Sequence, residues 1–254
     1  MLEKQKMISV RELLRLTAIK YQKIFKKFFW IYLFSISGSI IFIIFLTLYF
    51  VVDQFFLPSK LWLSILSGFL MTGASILAII VSLLGTIALF LLMQDVDSNF
   101  RDLIKKAKFY FWPFAWANFL VGLFVLLWSL LLFVPGVIYY VFYSLTSYVL
   151  IFEGIKGQAA LKRSKELIQG YWWPVFWRII IFQTLLLVAQ IVISAPLAFF
   201  NSETIVYSVV SLVVSFLASI ILIPATFVYP YLIYQNLKAI NPTLSVASVG
   251  LVEK

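Results

Sequence analysis

The chain has 254 residues, 63% of them hydrophobic and only 12% charged, with a formal net charge of +10. An average soluble domain carries about twice that charged fraction, so this composition argues against a soluble globule. The absence of Cys and His excludes disulfides, thiolate metal sites, cysteine nucleophiles and any triad, zinc or haem site that needs an imidazole.

Five stretches carry no Asp, Glu, Lys or Arg: Phe28–Val52, Leu61–Gln94, Phe109–Phe152, Ile179–Ser202 and Thr204–Leu237. A charge left in hydrocarbon costs several kcal/mol, and about 20 apolar residues in a helix cross the ~30 Å core of a bilayer. The expected fold is all-α: one polytopic membrane domain with six transmembrane helices. An N-terminal amphipathic interfacial helix and a short helix between the fourth and fifth spans complete it.

The segment 1–27 is basic. Ser9 followed by Glu12 fits a capping box, which starts a helix. Val10, Leu13, Leu14, Tyr21, Ile24, Phe25 and Phe28 then fall on one helical face, with Arg11, Arg15, Lys23, Lys26 and Lys27 elsewhere. That pattern suits a helix lying in the membrane interface or one packed under the bundle.

The first span is predicted over 28–52, with an outer turn from Asp53 to Lys60 broken by Pro58. The second covers 61–93, and a mixed-charge connection follows to Lys108. Gly68, Thr72, Ser75, Ser82 and Thr86 form a small-residue stripe on that second helix, suited to close packing. The third span, 109–134, ends in a reversal at Pro135-Gly136. The fourth, 137–152, leads into a short amphipathic helix over Gln158–Gln169, with Gly157 at its start and Gly170 as a left-handed cap. The fifth runs over 174–200, and Asn201–Glu203 turns into the sixth, 204–234, which Pro224 and Pro230 bend. A tail, 239–254, closes the chain.

Nineteen of the 20 Lys and Arg residues fall on one side of this arrangement, and Lys60 alone falls on the other. The positive-inside rule then places both termini in the cytoplasm. Trp112-Pro-Phe-Ala-Trp116 and Trp173-Pro-Val-Phe-Trp177 repeat the pattern W-P-x-x-W, each after a basic segment, so three parallel helical hairpins are one expectation.

Two groups of residues are candidates for function. Gln183 and Gln190 lie seven apart on the fifth span, and Asn118 lies on the third. Amides in hydrocarbon need partners, so these side chains are expected to face the bundle, as a solute pathway or as adhesion between helices. On the inner side, Lys162, Arg163, Trp173 and Arg178 combine cations with aromatic rings, a composition suited to anionic headgroups. Glu153, at the end of the fourth span, has Lys162 or Arg163 as a pairing partner, and Ser164 is placed to bond backbone. This set either braces the short helix or forms a polar site for a lipid phosphate or a membrane protein partner. Basic residues that flank apolar spans are explained by the membrane, and no nucleic-acid partner is expected.

From Pro135-Gly136 through Glu153, Ala160-Leu161-Lys162-Arg163-Ser164 and Gly170 to Trp172-Trp173, the chain resembles a broad bacterial family of six-helix integral membrane proteins. It is known as the membrane domain of glycerophosphoryl diester phosphodiesterase, with related uncharacterised families. The resemblance implies the six-helix fold and a bacterial cytoplasmic membrane. The catalytic part of that enzyme family uses His and metal-binding carboxylates in a soluble barrel, and this chain has no His. The expectation is therefore a non-catalytic module, without catalytic residues, cofactor or metal, that binds lipids or scaffolds a membrane partner. A permease-like component for an amphiphilic or uncharged solute is the alternative.

Overall fold

The computed structural model describes residues 7–56, 61–199 and 205–241. All regular structure among them is helical, in the order α1 (Val10–Phe56), α2 (Leu61–Gln94), α3 (Phe100–Leu131), α4 (Phe133–Tyr143), α5 (Thr146–Glu153), α6 (Gln158–Ile168), α7 (Trp172–Ser194), a 3-10 turn (Ala195–Phe199) and α8 (Ile205–Ile240). Six segments are long and apolar enough to cross a membrane, α4 and α5 together making one of them. The protein is a multi-pass membrane protein. Of the expected outer turn Asp53–Lys60, residues 53–56 belong to α1, and of the expected tail 239–254, residues 239–240 belong to α8. Residues 57–60, the expected turn at 201–203 and the tail after Asn241 lie outside the described residues.

The start of α1 is set by Ser9, whose Oγ accepts from Glu12 N at 3.2 Å while its carbonyl accepts from Leu13 N at 3.0 Å. From there α1 continues without a break for 47 residues. The N-terminal amphipathic stretch and the first span thus form one continuous helix. No Gly or Pro separates Ser9 from Gly38, so nothing stops the helix where the charge pattern changes. Of its apolar stripe, Leu13, Ile24 and Phe28 are buried, and Val10, Leu14, Tyr21 and Phe25 are half-buried. Tyr21 donates to the Ile221 carbonyl at 3.0 Å, and Lys20 stands over the Tyr231 ring, both on α8.

The chain divides into two compact units, residues 26–112 and residues 1–25 with 113–254. In the first, α1 and α2 meet at Gly38 and Gly85. A Cβ on Gly38 would lie 2.8 Å from the Ala78 carbonyl oxygen, and one on Gly85 would lie 2.4 Å from Ser35 Cβ. Ser35 Oγ donates to the Ser82 carbonyl at 3.1 Å in the same crossing. The expected packing stripe on α2 does not pack closely at its start: a Cβ on Gly68 would meet nothing within 4 Å. The connection after α2 is shorter than expected, because α3 begins at Phe100 and takes Arg101, Lys105, Lys106 and Lys108 into the helix. Lys27 Nζ closes that turn by donating to the Val96 carbonyl at 2.7 Å.

In the second unit the reversal between α3 and α4 falls at Leu132, which is extended (φ −158°, ψ 137°), not at Pro135-Gly136. Proline's missing N–H is harmless in a first turn, where no intrahelical acceptor exists for it, so Pro135 sits just inside α4. Gly136 is needed for contact: a Cβ there would meet Ser129 Oγ at 2.1 Å and Ser129 Cα at 2.9 Å. The fourth span is interrupted at Ser144-Leu145, where Ser144 turns back to the Val141 carbonyl through both N–H and Oγ. The W-P-x-x-W echo is not repeated in structure. Trp112 lies well inside α3, whereas Trp173 is the second residue of α7.

Candidate functional site

Three glycines build the site. Gly154 (φ 72°) ends α5 in the left-handed region immediately after Glu153, Gly157 (φ 58°) precedes α6, and Gly170 (φ 86°) follows it. These conformations are cheap only without a Cβ. They let the chain turn sharply, so that α6 lies back against α4 and α5.

The buried face of α6 consists of Ala160, Leu161, Ser164, Leu167 and Ile168, and helical spacing places Arg163 on it too. Arg163 Nε donates to Glu153 Oε2 at 2.8 Å, with both side chains only 5% exposed. The other carboxylate oxygen, Oε1, accepts from the Tyr234 hydroxyl at 2.9 Å and lies 3.7 Å from Lys238 Nζ. Lys238 in turn donates to the Tyr234 hydroxyl at 3.3 Å. Tyr148 stacks on Tyr234 with centroids 6.2 Å apart and donates to the Phe227 carbonyl at 2.9 Å. One carboxylate thus joins α5, α6 and α8. An ion pair out of water needs partners for its remaining lone pairs and protons. The Glu153 carboxylate has them, whereas Arg163 Nη2 is buried with no hydrogen-bond partner among the described residues.

Ser164, fully buried, donates from Oγ to the Phe142 carbonyl at 2.7 Å. That carbonyl lies in the last turn of α4, where helical acceptors lack intrahelical donors. Trp172 Nε1 donates to the Ile138 carbonyl at 3.2 Å, tying the start of α7 to the same helix.

The residues singled out from sequence therefore separate into three kinds. Glu153, Arg163 and Ser164 are engaged internally. Arg178 holds the N-terminal segment, donating from Nη2 to the Ile8 carbonyl at 2.5 Å and from Nη1 to the Pro174 carbonyl at 2.9 Å, while Ile8 N donates to Asn236 Oδ1. Of the inner-side set, Lys162 and Trp173 alone are exposed. Trp116 and Trp177 are also more than half exposed near the basic ends of α3 and α7.

The expected intramembrane polar face does not form. Gln183 is exposed; Gln190 Nε2 pairs within its own helix, with Ser194 Oγ at 3.4 Å. Asn118, itself exposed, donates to the Phe114 carbonyl of its own helix at 2.9 Å and accepts from Ser147 Oγ at 3.4 Å. The seven-residue spacing does align the two glutamines, but α7 turns Val175 and Phe182 inward instead.

Sequence reasoning missed Tyr234 and Lys238. They stand four residues apart at the basic end of α8, a visible spacing, but nothing local names Glu153, 81 residues away from Tyr234, as their partner. It also missed a recess of about 400 Å³ in residues 26–112, lined by Lys27, Trp30, Ile31, Phe100 and Leu103 among others. Comparison with family models, curated proteins and solved structures finds no match to this chain.

Proposed function

We propose that this chain is a non-catalytic module of a bacterial cytoplasmic membrane, with both termini cytoplasmic, that holds anionic lipid headgroups at its basic, aromatic face. The observation that carries this reading is the exposure of Trp116, Trp173, Trp177 and Lys162, together with a buried Glu153–Arg163 pair whose carboxylate already has its partners. Rings at a membrane surface anchor at headgroup depth, and an unshielded ammonium there attracts lipid phosphate. The buried carboxylate network keeps α6 fixed, so Lys162 is presented from a rigid base. Kinship with the six-helix membrane-domain family belongs to the same proposal. Glu153, Arg163 and Ser164, within the stretch that carries the resemblance, have a bracing role that requires no catalysis.

A permease-like role gains no support from the polar side chains, because Gln183 and Asn118 are exposed and Gln190 bonds within its own helix.

Native mass spectrometry of the full chain, purified with equal phosphatidylglycerol and phosphatidylcholine, tests the reading. Preferential retention of phosphatidylglycerol is expected, and it should fall in a Lys162→Gln, Trp173→Leu double variant. Equal retention of the two lipids, or no effect of the double variant, overturns it. Selective capture of a membrane protein with no lipid preference would instead favour a scaffolding role.

A further inference from the structure

Gln183 occupies the twelfth position of the 23-residue α7. At ~1.5 Å per residue it stands roughly 16 Å from either end of the helix, near the middle of a bilayer and too deep for its side chain to reach water. It is exposed, and none of the described residues hydrogen-bonds its amide. Some exposed hydroxyls in the spans are satisfied by their own helices: Thr47 donates to Ile43 O at 2.9 Å and Thr72 to Gly68 O at 2.9 Å. A glutamine amide has two donors and an acceptor, and leaving them bare in hydrocarbon costs several kcal/mol.

Gln183 is part of a longer seam. Ile180, Gln183, Leu187, Gln190 and Ser194 recur at spacings of three, four, three and four residues. This is the pattern by which two helices interlock side by side. Ile180 and Leu187 are exposed, and the Gln190–Ser194 pair is partly so.

We infer that a second copy of this chain docks along this seam, forming a twofold dimer in which the two Gln183 amides bond each other. Lipid tails offer no partner for an amide. A partner of different sequence would need a matching amide at the same depth, whereas a twofold-related copy supplies one by symmetry. Each glutamine then donates to the other's carbonyl oxygen, and both acceptors and one donor of each amide are satisfied across a single axis.

The absence of cysteine makes the test direct. Full-length Leu187→Cys and Leu185→Cys proteins are reconstituted into phosphatidylcholine–phosphatidylglycerol vesicles and oxidised. The two positions lie at nearly the same depth, but about 160° apart around α7, and both are exposed. Covalent dimer is expected from Leu187→Cys and not from Leu185→Cys. Adding Gln183→Leu, which is compatible with a lipid-facing helix, should weaken dimerisation about tenfold by single-molecule photobleaching. Monomer under all conditions, equal cross-linking at both positions, or a dimer indifferent to Gln183→Leu overturns the inference. These readouts do not depend on the headgroup proposal.

Discussion

The Tyr234 hydroxyl donates to Glu153 Oε1 at 2.9 Å across 81 residues of sequence, on the opposite oxygen from the one that accepts Arg163 Nε at 2.8 Å. The carboxylate therefore keeps partners if Arg163 is lost, but Arg163 keeps no carboxylate if Glu153 is lost. That asymmetry sets the first prediction.

Glu153→Ala leaves a guanidinium buried and uncompensated, which costs about 3–5 kcal/mol. Arg163→Met leaves Glu153 bonded to Tyr234 and close to Lys238, which is 39% exposed, and should cost less, about 1–3 kcal/mol. Thermal unfolding in detergent is expected to rank Glu153→Ala as the less stable variant. The reverse order would mean that the carboxylate is not the hub of the network.

Two glycines of α2 should respond oppositely to alanine. At Gly85 a Cβ would lie 2.6 Å from Ser35 Cα, a backbone atom that can move only with α1. Gly85→Ala should therefore destabilise by about 1–3 kcal/mol. At Gly68 nothing lies within 4 Å, and Gly68→Ala should be neutral or stabilising by up to ~1 kcal/mol through helix propensity. Paired melting curves decide the matter.

The turn after α2 should be sensitive to acid. The Ser98 hydroxyl donates to Asp95 Oδ2, and this bond is the largest cause holding the Asp95 carboxyl below its ordinary range. A carboxylate with a depressed folded value adds stability above its unfolded value, and that contribution is lost as pH falls through the folded one. Selective labelling of aspartate and NMR titration should find Asp95 protonating below the ordinary range. Ser98→Ala should raise its midpoint, and an unchanged midpoint would remove the hydrogen bond as the cause.

Reporter fusions test orientation. Insertions at Lys60 and Glu203 are expected to report the outer side of the membrane, and one at Lys106 the cytoplasm. A cytoplasmic signal at either of the first two positions would reverse the proposed topology.

Much of the fold was legible because burying charge in lipid is so costly that uncharged runs mark the spans almost by themselves. α6 was readable to within a residue at its C-terminal end, since Gly157 and Gly170 punctuate a clear amphipathic pattern. Pro135-Gly136 misled because the pair reads as a turn, although a proline in a first turn and a glycine at a close contact serve a helix equally well. The amphipathic stripe of α1 left two readings open. Its periodicity is the same whether it faces lipid or protein, and only the contacts with α8 distinguish the two.

The sequence by itself determined the class of the protein and its six spans, because transfer of charge and backbone into hydrocarbon dominates every local preference. Only the tertiary structure decided how the polar residues are used. It buries Arg163 against Glu153, gives Arg178 to the N-terminal segment and leaves Gln183 bare on α7, since pairings between residues tens of positions apart depend on how helices pack. Helical periodicity states which residues share a face; what that face meets is settled only by the neighbouring helices.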